Sequence, residues 1–322
     1  MPSSRKIVSE FIKCGKIHPE HINEALYCTH VSPNISSWFK FIDRLLFCLG
    51  ILSLTFSVLF FIAYNWNDWG RFGKFTLIES LLIITTLLYV YVKKDHLKAQ
   101  ISLLVSSLMV GILMAFFGQT YQTGADPWTL FFFWALLITP WVVIARFAPL
   151  WLSWLALLNI ALNLYIDSFG IPFNLFSSLN NDLGISTFIL NTIALITLEL
   201  SSRYFSYLSP RWLARSIASV AGFIITIMLI ETIVETNIHH LPYLLWSAFI
   251  LSLYLVYRHL RGDLFMLAGA CLSIIIVLVT FSIKQMNEDY FEMFFLFIPM
   301  LVIGLMSVAT LWLKKVHKEM QS

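Results

Sequence analysis

Residues 115–146 read AFFGQTYQTGADPWTLFFFWALLITPWVVIAR. An apolar run breaks at the polar corner GQTYQTGADP (118–127), and a second apolar run of membrane length starts at once. Both runs are continuous rather than alternating, as in SLLVSSLMVGILMAFF (102–117) and FFFWALLITPWVVIA (131–145). A strand of a membrane barrel would alternate apolar and polar over about ten residues. A continuous run satisfies its own backbone hydrogen bonds in lipid by forming a helix. This corner therefore reads as a tight connection between two spanning helices, and the rest of the chain repeats its pattern.

Composition agrees. Hydrophobic residues make up 59% of the 322 and charged residues 12%, about half the charge of a soluble domain. That leaves too little polar surface to cover a soluble globule. The fold class is an all-α integral membrane protein. About 20 apolar residues cross the hydrocarbon, which gives ten spans, near 45–64, 74–92, 99–117, 127–145, 149–166, 185–201, 212–234, 242–257, 263–283 and 291–313. The domains are a cytoplasmic helical hairpin over 1–40 and a polytopic transmembrane domain over 41–322.

Lys and Arg placement orients the chain. With the N-terminus in the cytoplasm, the 21 basic residues all fall on the inner side except Arg71, Lys74 and Lys284. Both termini are then cytoplasmic. Ten spans also divide into two halves of five, which an odd number would make inverted, although no internal similarity supports that division. The four cysteines (Cys14, Cys28, Cys48 and Cys271) form no disulfide framework and read as free thiols. The polar first 40 residues carry no cleavable signal.

In the hairpin, Ile7, Val8, Phe11 and Ile12 recur at helical spacing, Gly15 is a stop, and Pro19 opens a second helix through Ile22, Ala25 and Leu26. Between spans five and six, 167–184 (DSFGIPFNLFSSLNNDLG) has no Lys or Arg but many apolar residues. It reads as a membrane-surface segment or a lid.

Three stretches stand out: FIKCGKIHPEHINEAL (11–26), FFIAYNWNDWG (60–70) and GQTYQTGADPWTLFFFWALLITP (118–140). Together they resemble a bacterial family of predicted membrane proteins, domain of unknown function 2157. The resemblance covers about 10–145. It implies a multi-pass protein of the bacterial inner membrane with a short cytoplasmic N-terminal segment, and it brings no established activity.

Polar residues within spans are costly and tend to face a bundle interior or a water-filled cavity. Here they gather toward the outer side. Glu79 lies inside span two. Gln119, Tyr121, Gln122 and Asp126 form the outer corner, with Trp128 beside them. Asn159 and Asn163 share one face of span five, and Asn191 lies in span six. Glu231 and Glu235 lie one turn apart at the end of span seven. Together they outline a polar crevice open to the periplasm, the candidate binding site for a substrate.

Each has a structural alternative. Asp126 before Pro127 is a helix-start signal. Trp66, Trp69, Trp128 and Tyr121 sit where an aromatic belt belongs. The three asparagines can hydrogen-bond between helices. Glu79 can pair with Arg71 or Lys74, and Glu199 with Arg203 four residues on. Glu231 and Glu235 are either solvated beyond a span ending near Ile230, or close enough that they share a proton or a cation. His239 and His240 follow, but no geometry fixes a metal there. Cys14, His18, His21, Cys28 and His30 match no zinc spacing. The sequence points to no metal and no cofactor. No nucleotide loop, GxSxG turn or HExxH is present. The basic residues are spread along the inner loops, so no nucleic acid is expected.

Three functions fit this pattern. The first is a transporter or flippase-like carrier of a small or amphipathic cell-envelope molecule, helped by Pro140 and Pro299 as helix breaks. The second is a membrane enzyme acting on lipid-linked glycans at the outer face, with Asp68 in NWNDWG as the outer-loop acid and Asp126 next. The third is a non-catalytic partner or regulator that meets another protein through residues 1–40. Membrane lipids are partners in every case. The carrier is the leading reading.

Overall fold

The computed structural model describes residues 8, 11–12, 14–22, 24, 26, 35–64, 70–92, 96–121, 124–169, 182–235, 240–285 and 291–321. Among these there is no strand, and ten helices are long and apolar enough to cross a membrane. They are α1 (Ile35–Tyr64), α2 (Arg71–Tyr91), α3 (His96–Tyr121), α4 (Pro127–Ala145), α5 (Ala148–Phe169), α6 (Asp182–Ser201), α7 (Arg211–Val234), α8 (His240–Leu255), α9 (Leu264–Gln285) and α10 (Phe291–Gln321). Each corresponds to one of the ten apolar runs. The largest departures are at the two ends of the series. Helix α1 begins at Ile35 instead of near 45, and α10 continues to Gln321 instead of stopping near 313. In both, the helix runs on into polar sequence, since extending a formed helix is far easier than starting one.

The hairpin's turn follows its sequence signals. Gly15 has φ +65°. The Lys16 amide donates to the Phe11 carbonyl at 3.0 Å and the Gly15 amide to Ile12 at 3.1 Å, the paired bonds that end a helix on a left-handed glycine. Pro19 then opens a 3-10 turn, Pro19–His21. Cys14 and Cys48 are free and exposed, and Cys271 is free and half-buried.

The chain divides into two compact units, Met1–Ile112 and Leu113–Ser322. In the first, a cluster of hydroxyls joins α2 to α3. Ser106 Oγ donates to Thr85 Oγ1 at 2.9 Å and lies 3.1 Å from Thr86 Oγ1. Such small polar pairs let helices associate in lipid, where no hydrophobic force drives them together. Ile62, Ile78, Leu103 and Met109 are buried, whereas most of α1 faces outward.

The second unit is built around α7. Leu213, Ala221, Ile225 and Leu229 are wholly buried along it, and α6, α8, α9 and part of α5 pack against it. Gly184 marks the closest approach of α6: a Cβ there would stand 2.7 Å from the Met228 sulfur. Helices α4 and α5 form a tight pair. Pro140 lies inside α4 and cannot donate to Leu136. Beside that break, the Trp154 indole reaches across from α5 to the Ala135 carbonyl and the Thr139 hydroxyl, both at 3.1 Å. The helix continues through the proline to Ala145.

Candidate functional site

The densest polar structure of the second unit lies at the end where α6 finishes and α7 and α9 start. It is built on a local irregularity. Five residues after α8, Val256–Leu260, form a π-helical turn. The Arg261 amide bonds to Val256 and the Asp263 amide to Tyr257. The extra residue per turn places Tyr257 and Arg261 against the neighbouring helix ends. Turns of this kind are rare and frequent at functional positions.

Asp263 opens α9. Its Oδ1 accepts from the Phe265 amide at 3.1 Å, the bond that relieves an unpaired donor at a helix start. The same carboxylate takes a two-pronged contact from Arg215, Nε to Oδ2 at 3.1 Å and Nη2 to Oδ1 at 3.0 Å, and a third bond from Arg211 Nη1 at 3.2 Å. Arg211 and Arg215 are one turn apart on α7, so one helix face delivers both. The carboxylate is 3% exposed. Burial pushes its pKa up, but the bonds from Arg215, Arg211 and the Phe265 amide outweigh that and hold it below the ordinary carboxylate value.

A second pair interlocks with the first. Arg261 Nη2 lies 3.1 Å from Glu199 Oε2 and donates to the Glu199 carbonyl at 2.7 Å and the Ser202 hydroxyl at 2.9 Å. The Tyr257 hydroxyl donates to Glu199 Oε1 at 2.9 Å. Arg211 Nη2 reaches the Arg261 carbonyl at 3.1 Å and so connects the two pairs. Arg258 pairs with Glu319 and ties the π turn to the end of α10. The network lines a small, partly open cavity of about 30 Å³, room enough for a bridging water. Arg211, Arg215 and Arg261 face Asp263 and Glu199, so this part carries one net positive charge. It clasps the ends of α6, α7, α8 and α9 together.

Sequence reading passed over most of this cluster. Arg211, Arg215, Arg258 and Arg261 counted only toward orientation, and Asp263 and Tyr257 were not singled out. Glu199 was, but with the wrong partner: it pairs with Arg261 across the bundle instead of with Arg203. The available signal was the i,i+4 spacing of Arg211 and Arg215 together with a lone Asp at a glycine corner.

The residues expected to form the outer crevice are placed as follows. Asn159, Asn163 and Asn191 come together with Thr187 between α5 and α6. Asn191 Nδ2 donates to Asn159 Oδ1 at 2.6 Å, Asn159 Nδ2 lies 3.4 Å from Asn191 Oδ1, and the Thr187 hydroxyl donates to Asn163 Oδ1 at 3.2 Å. The amide donors are further shared with the carbonyls of Leu155, Asn159 and Thr187. Asn191 is 2% exposed. These amides satisfy one another as a ladder between two helices.

Trp128 stacks edge-on with Tyr165, ring centres 5.0 Å apart, and lies near Phe132 and Phe169. Its indole nitrogen is buried without a hydrogen-bond partner. Asp126 occupies the position before α4, but as a cap it acts through its backbone. Its side chain makes no capping bond, while its carbonyl accepts from the Thr129 amide and hydroxyl at 3.0 and 2.6 Å. Gln119 and Tyr121 are exposed at the end of α3, with Tyr121 against Phe117. Glu79 is exposed on α2, the helix that also carries the buried Lys74. Helix α7 runs past Ile230 to Val234, and both Glu231 and Glu235 are exposed there. Lys284 donates to the Val234 carbonyl at that end. Asp68, Gln122, Trp66, Trp69, Cys28, His30, His239 and the connection 170–181 lie outside the described residues. Among the described residues, no three His, Cys, Asp or Glu gather in one place.

Fold and cluster together define a polytopic, all-helical membrane protein. Residues 15–151 match the model of a family described as predicted membrane protein (DUF2157), so the resemblance read from the three quoted stretches holds over that part of the chain. No curated protein and no solved structure matches it.

Proposed function

We propose that this chain is a carrier of a small or amphipathic cell-envelope molecule in the bacterial inner membrane, with both termini in the cytoplasm. Lys and Arg placement supports the orientation, since basic loops are retained on the cytoplasmic side. The clasp at the basic end is then a cytoplasmic gate, and Gln119, Tyr121 and Asp126 lie at the periplasmic corner.

The observation that carries this reading is the clasp itself. Four helix ends are joined around the Asp263 carboxylate, which is 3% exposed, and a buried charge with incomplete partners is costly. Such a network is stable either fully made or fully hydrated, so it favours two discrete arrangements over a continuum. That is what rocking of helices around a fixed site requires. An apolar groove of about 510 Å³ lies beside it in the same unit, within the range of small-molecule sites (about 300–1,000 Å³).

Purified protein in liposomes containing fluorescent phospholipids tests the reading, with a membrane-impermeant quencher added outside. The carrier reading expects faster loss of inner-leaflet fluorescence than in protein-free liposomes, and an altered rate in Arg261→Gln, which unties Glu199. Rates equal to those of protein-free liposomes for both proteins would refute a carrier of amphipathic cargo.

A further inference from the structure

The groove beside the clasp is cut between α7, α8 and α9. Its walls are apolar and include Gly222 and Gly269. A Cβ built on Gly269 meets nothing within 4 Å, so the groove is open at that point. Apart from Ser219, the hydroxyls in its wall are already occupied: Thr226 and Ser273 bond each other at 2.7 Å, and the Trp246 indole donates to Ser273 at 2.8 Å. Away from Ser219, which lies at the end nearer Arg215, the groove therefore presents mostly hydrocarbon.

One end differs. On α7 the lining positions Ala218, Ser219, Gly222, Thr226 and Ile230 recur every three or four residues, which puts them on one face. The same stripe continues toward the start of α7 through Arg215 and Arg211. The Arg215 guanidinium stands 5.3 Å from the centre of the Phe265 ring, and Phe265 lines the groove. A cation thus sits at the groove's mouth. The bonds to Asp263 use Arg215 Nε and Nη2, which leaves Nη1 outside them. The Arg215 and Arg211 side chains are 39% and 53% exposed. Two arginines around one aspartate leave an uncompensated positive charge facing outward.

We propose that this groove holds one acyl chain of an anionic membrane phospholipid, with the lipid phosphate against Arg215 and Arg211. An acyl chain that enters the groove exchanges one apolar surrounding for another, so the hydrophobic effect does not select it. Selection falls to the head group. Guanidinium and phosphate form charge-assisted bonds with either kind of lipid, so selection rests on net charge: the one positive charge that Asp263 leaves uncompensated favours an anionic lipid by about fivefold. The site is thus a binding site for an anionic lipid over a zwitterionic one, and it stands whether or not the chain transports anything.

The test uses full-length protein in detergent, stripped of lipid and offered equal amounts of phosphatidylglycerol and phosphatidylcholine, with bound lipid counted by native mass spectrometry. The proposal expects phosphatidylglycerol to be retained about fivefold over phosphatidylcholine. Arg211→Gln should bring that ratio close to one. Gly269→Leu, whose side chain enters the open space, should lose the bound phosphatidylglycerol without lowering the melting temperature. Equal retention of the two lipids by wild type, or an undiminished preference in Arg211→Gln or in folded Gly269→Leu, overturns the site. A second measurement needs no variant. Phosphatidylglycerol with a photoreactive acyl chain should crosslink to Phe223, Ile227, Leu272 or Ile276. Crosslinks confined to the outward faces of α1 and α10 overturn it.

Discussion

Asp263→Asn is the most informative single change, because one carboxylate holds two arginines and starts a helix. The substitution keeps the shape and the Oδ1 acceptor for the Phe265 amide. It turns the other terminal atom into a donor that faces guanidinium donors. Removing one partner of a fully buried pair costs about 3–5 kcal/mol. Arg211 and Arg215 are half and two-fifths exposed and recover part of their hydration, so the expected loss is about 2–3 kcal/mol. For a unit of this size that lowers the melting temperature by about 5–10 °C. The chain contains 11 tryptophans, so intrinsic fluorescence during a thermal ramp in lipid nanodiscs reads it directly. Glu235→Gln, an exposed site with the same change of charge, is the control and should shift by no more than about 0.5 kcal/mol. The pH dependence has a defined sign. The folded-state pKa of Asp263 lies below its unfolded value. Its contribution is therefore complete above the ordinary carboxylate pKa of about 4 and is lost as pH falls through the folded value. Wild type should lose stability below about pH 4, and Asp263→Asn should lack that part of the loss. If Asp263→Asn melts within about 1 °C of wild type at neutral pH, the clasp does not hold the helix ends and the gate argument fails.

Further consequences are smaller in scale. Tyr257→Phe removes only the hydroxyl bonded to Glu199 and should cost about 1–2 kcal/mol, read by the same thermal ramp. Asn159→Leu and Asn191→Leu should each destabilise, because each strands the other's amide. The double variant should cost less than the sum of the two, with a coupling of about 0.6–1.7 kcal/mol in a double-mutant cycle. Gly184→Val drives methyl groups into Met228, itself 3% exposed, and should cost about 1–3 kcal/mol. Met228→Ala in the same chain should recover part of that loss, and the absence of recovery would place the strain elsewhere.

The ten helices were legible in the sequence because lipid leaves a spanning segment one solution, and length and hydropathy announce it. Gly15, Pro19 and Pro127 punctuated the chain where they stand. Pairing across the bundle was not legible. Asn159 and Asn163 could be placed on one face by their spacing, yet their partners Asn191 and Thr187 lie 32 and 24 residues away. Glu199 had an obvious local partner in Arg203 and takes Arg261 instead, because the π turn, which no local pattern foretells, swings Arg261 into reach. Asp263 lay in a short Gly-containing corner between two apolar runs, the place where a solvated aspartate is ordinarily found. Its burial comes from α7, whose arginines are 48 and 52 residues earlier. The polar residues expected on the outer side drew attention by their number, whereas the charges that fold into one cluster lie at the basic end of the second unit.

The orientation is tested most directly by thiol labelling in intact cells, in a variant whose four native cysteines are replaced. Ala125 and Arg203 are both exposed and lie in different connections of the second unit. A membrane-impermeant maleimide should label Ala125→Cys from outside, and should reach Arg203→Cys only after the inner membrane is opened. Labelling of Arg203→Cys in intact cells with Ala125→Cys protected would invert the chain, and the clasp would then close the periplasmic face.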